Sequence, residues 1–353
     1  MNKIINFIKK RYKKIIITIL GLVMGIFLFL YVYRGQDFND FLEKLQKLQN
    51  YWIFLPCFIF AILSHIFRAR RWQMLIDNKE EKTRFSNTFF SVLNGYLFNA
   101  IIPRSGEVIR CVQVSNLDNI KFSKVVGTMV SERIIDVVLM FFITIATILF
   151  QTEKIKTLII ESELGKNLEH FLSPTIIFPL IIIGLLFLLL FYFIIKGRFN
   201  RWKIFEKFSN FIKNFWEGFR EGLISLKDVK KPFWFIFHSV SIWVCYFLEF
   251  FICFFAFKEV ALCEINFNIA LTAFVAGSYG MLAPTQSGIG AYHFMVIQTL
   301  ILYGIIAEYA QDFAFVVHFM QTIYILVLGV FSMICTFVLS RRKKKKDVLV
   351  IND

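Results

Sequence analysis

Six stretches of this 353-residue chain, at about 15–33, 51–67, 125–150, 175–195, 233–257 and 313–339, run close to 20 residues with hardly a charge. Wound as an α-helix, a run of that length matches the hydrocarbon thickness of a bilayer. A helix is also one of only two ways to pair every backbone amide away from water. The other way, a barrel, needs segments of about ten residues that alternate polar with apolar, which these do not. The composition agrees, with 57% hydrophobic residues, 45 of them Phe, and 18% charged, too few charges to clothe a soluble domain. The reading is an all-α integral membrane protein: one polytopic domain over residues 1–340, with halves at about 1–150 and 175–340, then a basic tail at 341–353.

The first stretch, Ile15 to Tyr33, follows Lys9, Lys10, Arg11, Lys13 and Lys14, as a signal peptide would. It is longer than a usual signal core and no small-residue cleavage site follows, so it reads as a retained span. The six cysteines are scattered without a Cys-x-x-Cys pair, and the five histidines lack ligand spacing, so no metal, disulfide or cofactor chemistry is expected. His238, His293 and His318 lie in apolar segments, where packing or a helix–helix hydrogen bond is the expected role.

Two further apolar pieces, about 86–102 and 269–283, end at breaks that stand in corresponding places of the two halves. The first reads Asn99-Ala-Ile-Ile-Pro103-Arg104-Ser105-Gly106-Glu107 and the second Met281-Leu-Ala-Pro284-Thr-Gln286-Ser287-Gly288-Ile-Gly290. Pro removes an amide hydrogen and clashes one turn back, and Gly frees the backbone, so no helix runs through either break. Each piece is followed by one that can return the way it came, and both are expected to be re-entrant hairpins. Paired breaks of this kind point to a transport site near the midplane.

Lys and Arg flanking the spans set the orientation. With the N-terminus inside, the inner segments carry 32 of them and the outer segments 7, which places both termini in the cytoplasm. On that topology the two halves are inverted repeats, the first hairpin entering from the cytoplasm and the second from outside. The net charge of +15 then reflects topology and contact with anionic lipid rather than nucleic acid. Segment 196–232 alternates rings (Phe199, Trp202, Phe205, Phe208) with cations (Lys203, Lys207) at helical spacing, an amphipathic helix on the inner leaflet.

Charges inside the spans are costly and face a cavity or one another. Glu132, Arg133 and Asp136 open the third span; Glu132 and Asp136 share a helix face and need a cation between them. The first hairpin supplies Arg104, Glu107 and Arg110, giving three cations and three anions in one expected network. Forked arginine donors beside a broken helix suit a phosphate or carboxylate. Arg68, Arg71 and Trp72 close the second span, where inner-face anchoring and guidance of headgroups are the two roles expected. Glu249 is deep in the fifth span with no sequence neighbour to pair it. Asn99, Pro103, Gly106, Pro284, Gln286, Gly288 and Gly290 complete the expected binding set. No nucleophile–base pair accompanies these acids, so no catalytic residue is assigned, and no Gly-Lys-Ser/Thr loop for a nucleotide is present.

In order, Arg68-x-x-Arg71-Trp72, Asn99-x-x-x-Pro103-x-x-Gly106-Glu107-x-x-Arg110, Glu132-Arg133-x-x-Asp136 and Pro284-x-x-x-Gly288-x-Gly290 resemble the lysylphosphatidylglycerol synthase transmembrane region, a flippase-like membrane family. Arg104-Ser105 departs from the small residues expected at that turn. The resemblance implies the translocating membrane part without the soluble aminoacyltransferase domain of the fused enzymes. The expectation is a translocator of phospholipid or lipid-linked headgroups in the cytoplasmic membrane, its partners lipids with anionic or zwitterionic heads. A membrane-embedded transferase or accessory subunit, or a solute carrier, is the alternative.

Overall fold

The computed structural model describes residues 45–46, 48, 50–77, 81–102, 104–150, 217, 220, 224, 229–257, 266–283 and 285–351. The first and fourth sequence-read spans and almost all of segment 196–232 lie outside the described residues, as do Pro103 and Pro284.

Eight α-helices make up the described fold: α1 (Phe54–Ile76), α2 (Phe85–Ile101), α3 (Ser105–Asp118), α4 (Phe122–Phe150), α5 (Pro232–Cys253), α6 (Phe267–Gly280), α7 (Ala291–Leu302) and α8 (Ala307–Ile351). Their succession repeats: a long helix, two short ones, a long helix, then the same again. By length and composition four stretches can cross a membrane: Tyr51–Ile76, Phe122–Phe150, Pro232–Ala256 and Ala307–Leu339. These are the second, third, fifth and sixth spans read from the sequence, with ends moved by a few residues. The largest shift is in α8, which starts at Ala307 and stays helical through the basic run to Ile351.

Local chemistry explains the boundaries. Pro56 falls in the first turn of α1 and Pro232 opens α5, positions where a missing amide hydrogen costs nothing. Asn266 caps α6 by accepting from the Ile269 amide at 3.0 Å. After α1, Asp77 leaves the helix and its carboxylate accepts from the Thr83 amide and hydroxyl at 2.7 and 2.8 Å, turning the chain into α2.

Both pairs of short helices are antiparallel hairpins. In the first, Asn87 donates to Asp118 at 2.6 Å, Asn94 to Gln113 at 2.9 Å, and the Gly106 amide to the Asn99 side chain at 2.7 Å, a zipper from base to tip. Gly106 is required for this approach, because a Cβ there would lie 1.8 Å from the Gly95 carbonyl oxygen. In the second, Gly277 and Gly280 pack on Tyr292, and the Thr272 and Tyr303 hydroxyls meet at 3.4 Å. Its tip turns through Ser287, Gly288 and Gly290, all at positive φ (49°, 76° and 85°).

The larger core joins the start of α1 to α5, α6, α7 and α8, with Phe254 stacked on Phe313 at 3.7 Å between ring centres. A smaller one gathers the end of α1 with α2, α3 and the start of α4. Helix α8 ties the hairpins together. His318 donates to the Ser287 carbonyl in the second tip at 2.8 Å, a bond from helix to turn. Further along, Gly329 packs on Leu97, Ser332 donates to the Phe90 carbonyl at 2.7 Å, and Thr336 accepts from Gln113 at 2.8 Å.

Candidate functional site: a buried arginine–carboxylate network at the hairpin tips

Glu132 and Asp136 lie one turn apart on α4, and α1 answers them with Arg68 and Arg71, also on one face. Arg68 bonds Glu132 and reaches Asp136 at 2.9 Å; Arg71 reaches Glu132 at 3.2 Å and Asp136 at 2.6 Å. Each carboxylate is therefore held by both arginines, which supplies the cation that two like charges on one face demand. From the first hairpin, Arg110 donates to the second oxygen of Glu132 at 3.0 Å and stacks on Trp72, 4.6 Å from its ring centre. The Trp72 indole in turn donates to Thr128 at 3.2 Å. Arg71, Trp72 and Glu132 are all 0% exposed.

Arg68, Arg71 and Trp72 are buried and wall the network: both arginines bond the α4 carboxylates, and the Trp72 ring carries Arg110. Arg104 moves the other way. It caps α3 in the left-handed region (φ 61°), and its guanidinium leaves the carboxylates to donate to the Leu282 carbonyl at 3.2 Å, in the second break. The network is thus four arginines (68, 71, 110, 133) and three carboxylates (107, 132, 136), rather than the balanced six read from the sequence.

The network grades from a sealed floor to an open mouth. Arg133 sits 3.5 Å from Asp136 and 3.8 Å from Glu107, with 41% of its side chain exposed and 27% of that of Glu107. At the far side, Arg68 donates to the Tyr246 hydroxyl at 3.3 Å, which meets the Tyr96 hydroxyl at 3.0 Å, with the His65 ring tilted against that of Tyr96. Tyr96 and Tyr246 were missed in the sequence. The available signal was a phenol in an otherwise apolar helix, whose hydroxyl must find a polar partner at depth.

The remaining residues fall in three places. Asn99 and Gly106 clamp the first tip, while Gly288, Gly290 and the backbone of Gln286 form the second. Glu249 stands apart, one turn beyond Tyr246 on α5. It is buried where the Cys57 thiol touches its backbone carbonyl, and no cation among the described residues pairs with it.

The sequence profile of the lysylphosphatidylglycerol synthase TM region matches residues 18–329. The chain belongs to that family. Its match covers both hairpins and every member of the network. A second similarity is to the UPF0104 membrane protein MJ1595 of Methanocaldococcus jannaschii, 32% identical over 94 residues, 26% of this chain and 28% of that relative. No solved structure matches. Family and apolar helices together make this a multi-pass membrane protein.

Proposed function

We propose that this protein is a lipid translocator of the cytoplasmic membrane, moving an amphiphile with a charged head between leaflets through the region where the two hairpin tips meet. The observation that carries the reading is the contact of the tips beside the arginine network, Arg104 against Leu282. Along α8, the second tip touches His318 and the first hairpin touches Thr336, some 18 residues away or ~27 Å of helix. The second hairpin also has its base at Tyr303, just before α8 begins, whereas the first lies along the C-terminal half of that helix. Hairpins that start at opposite ends of one spanning helix and meet between them fit re-entrant, oppositely inserted halves with cytoplasmic termini.

Chemically, a headgroup needs a polar path while its chains stay in lipid. A charged mouth on an otherwise apolar surface meets that need, and irregular backbone at depth is tolerated where it is buried in protein or lines such a path. The test is transbilayer movement of NBD-labelled phosphatidylglycerol and phosphatidylethanolamine in reconstituted vesicles, followed by dithionite quenching. Wild-type protein is expected to speed the exchange, and Arg110→Ala to stop it. Exchange no faster than in protein-free vesicles for either lipid overturns the proposal.

A further inference from the structure

We infer that the mouth of the network, Arg133 with Glu107, is a headgroup subsite that selects phosphodiester lipids whose headgroup carries a hydrogen-bond donor. This rests on the lipid reading above and deepens it by naming the substrate class.

The donor and acceptor inventory leads there. Both oxygens of Glu132 and of Asp136 are engaged by arginines. Yet Arg71 keeps Nε and Nη1, Arg110 keeps Nε and Nη2, and Arg133 keeps Nε without an acceptor among the described residues. Four guanidinium groups against three carboxylates also leave one positive charge in excess. A phosphodiester brings one negative charge and several acceptor oxygens in the geometry that arginine forks fit. On the other side of the mouth, Glu107 has the opposite need: its Oε2 has no donor among the described residues, and its Oε1 is 3.8 Å from Arg133, beyond hydrogen-bond reach. A hydroxyl or ammonium a few bonds from the phosphate satisfies that carboxylate while the phosphate satisfies Arg133.

The surroundings favour a lipid over a soluble phosphodiester. Val108 adjoins Glu107, Val137 lies one turn from Arg133 on the same face of α4, and both are exposed, as are Ile134, Val138 and Phe141. The charged mouth opens onto apolar surface that acyl chains can cover. Phosphate and donor are then read side by side, and a choline head, whose methylated nitrogen donates nothing, leaves the Glu107 carboxylate without a hydrogen bond.

The experiment is native mass spectrometry of the full chain with equal amounts of phosphatidylglycerol, phosphatidylethanolamine and phosphatidylcholine of matched chains. Wild type is expected to retain the first two over the third by about tenfold, the value of one hydrogen bond to a charged group. Glu107→Leu is expected to abolish that preference, and Arg133→Gln to weaken all three alike while keeping it. Should Glu107→Leu fail to fold, Glu107→Gln, which keeps an acceptor but loses the charge, is expected to lower retention of phosphatidylethanolamine more than of phosphatidylglycerol. Equal retention of phosphatidylcholine by wild type, or an unchanged preference in the Glu107 variants, overturns the subsite. Tail-free glycerophosphoethanolamine is expected to bind more weakly than its lipid by at least about tenfold, the worth of two buried methylenes, and equal affinity assigns the site to a soluble phosphodiester instead. Selective binding without transbilayer movement removes the translocator and leaves the subsite; movement without selectivity does the reverse.

Discussion

Arg104 donates through Nη2 to the backbone carbonyl oxygen of Leu282, 3.2 Å away and 178 residues along the chain, so the break in the first half is bonded to the break in the second. Neither group has a helical partner to compete for it, since both sit where a helix has just ended or is about to begin. The expected consequence is proximity that chemistry can capture. With native cysteines replaced, Arg104→Cys combined with Leu282→Cys should be joined by a short bismaleimide into one intramolecular species, read by peptide mass spectrometry. If the joined protein still moves lipid at the wild-type rate, the tips do not need to part during transport.

Removing Glu132 is a different intervention from removing Arg133, although the two are adjacent in sequence. Glu132→Ala takes from the buried Arg110 its only carboxylate among the described residues and leaves Arg68 and Arg71 to share Asp136, and breaking a buried pair of this sort costs about 3–5 kcal/mol. Arg133→Gln loses contacts of 3.5 and 3.8 Å at a half-exposed mouth, where ion pairs are worth about 0–1 kcal/mol. Thermal unfolding in detergent should therefore show a large loss for the first variant and little change for the second. Similar melting temperatures for both would mean that the floor is hydrated.

How far the sequence could carry this follows from what each signal is. Apolar run length is local, so the four described long helices were readable, as were both breaks, because Pro and Gly act on their own backbone. The charges on α4 were readable as a problem needing cations. Which cations answer it was not, because choosing Arg68 and Arg71 over Arg104 depends on how α1 crosses α4 and on the left-handed turn at Arg104, both set by tertiary packing. Arg68, Arg71 and Trp72 also match the positive, aromatic signature of a membrane interface, and sequence alone gives a buried arginine and an anchoring one the same appearance.

Glycines at the two tips serve different ends, and alanine separates them. At Gly106 the added Cβ would fall 1.8 Å from the Gly95 carbonyl oxygen, a backbone atom that cannot step aside without parting α2 from α3. At Gly290 nothing lies within 4 Å of an added Cβ, and the penalty is only that of a positive φ of 85°, about 1–3 kcal/mol. Gly106→Ala is expected to cost more thermal stability than Gly290→Ala and to expose the hairpin to limited proteolysis. The reverse order would show that α2 and α3 are not in contact at that point.

The two tyrosines behind Arg68 form a chain in which order matters. Arg68 Nε donates to Tyr246, whose hydroxyl meets that of Tyr96. Tyr246→Phe takes the acceptor from a buried guanidinium nitrogen and leaves Tyr96 without its hydroxyl partner, a cost of about 1–3 kcal/mol for the unpaired buried group. Tyr96→Phe leaves the bond from Arg68 to Tyr246 in place and removes only the outer link, about 0.5–1.5 kcal/mol. In the double variant Tyr96 has no partner left to lose, so its cost should fall short of the sum of the two single costs. Full additivity in a thermal double-mutant cycle would mean that the two hydroxyls do not act on one another.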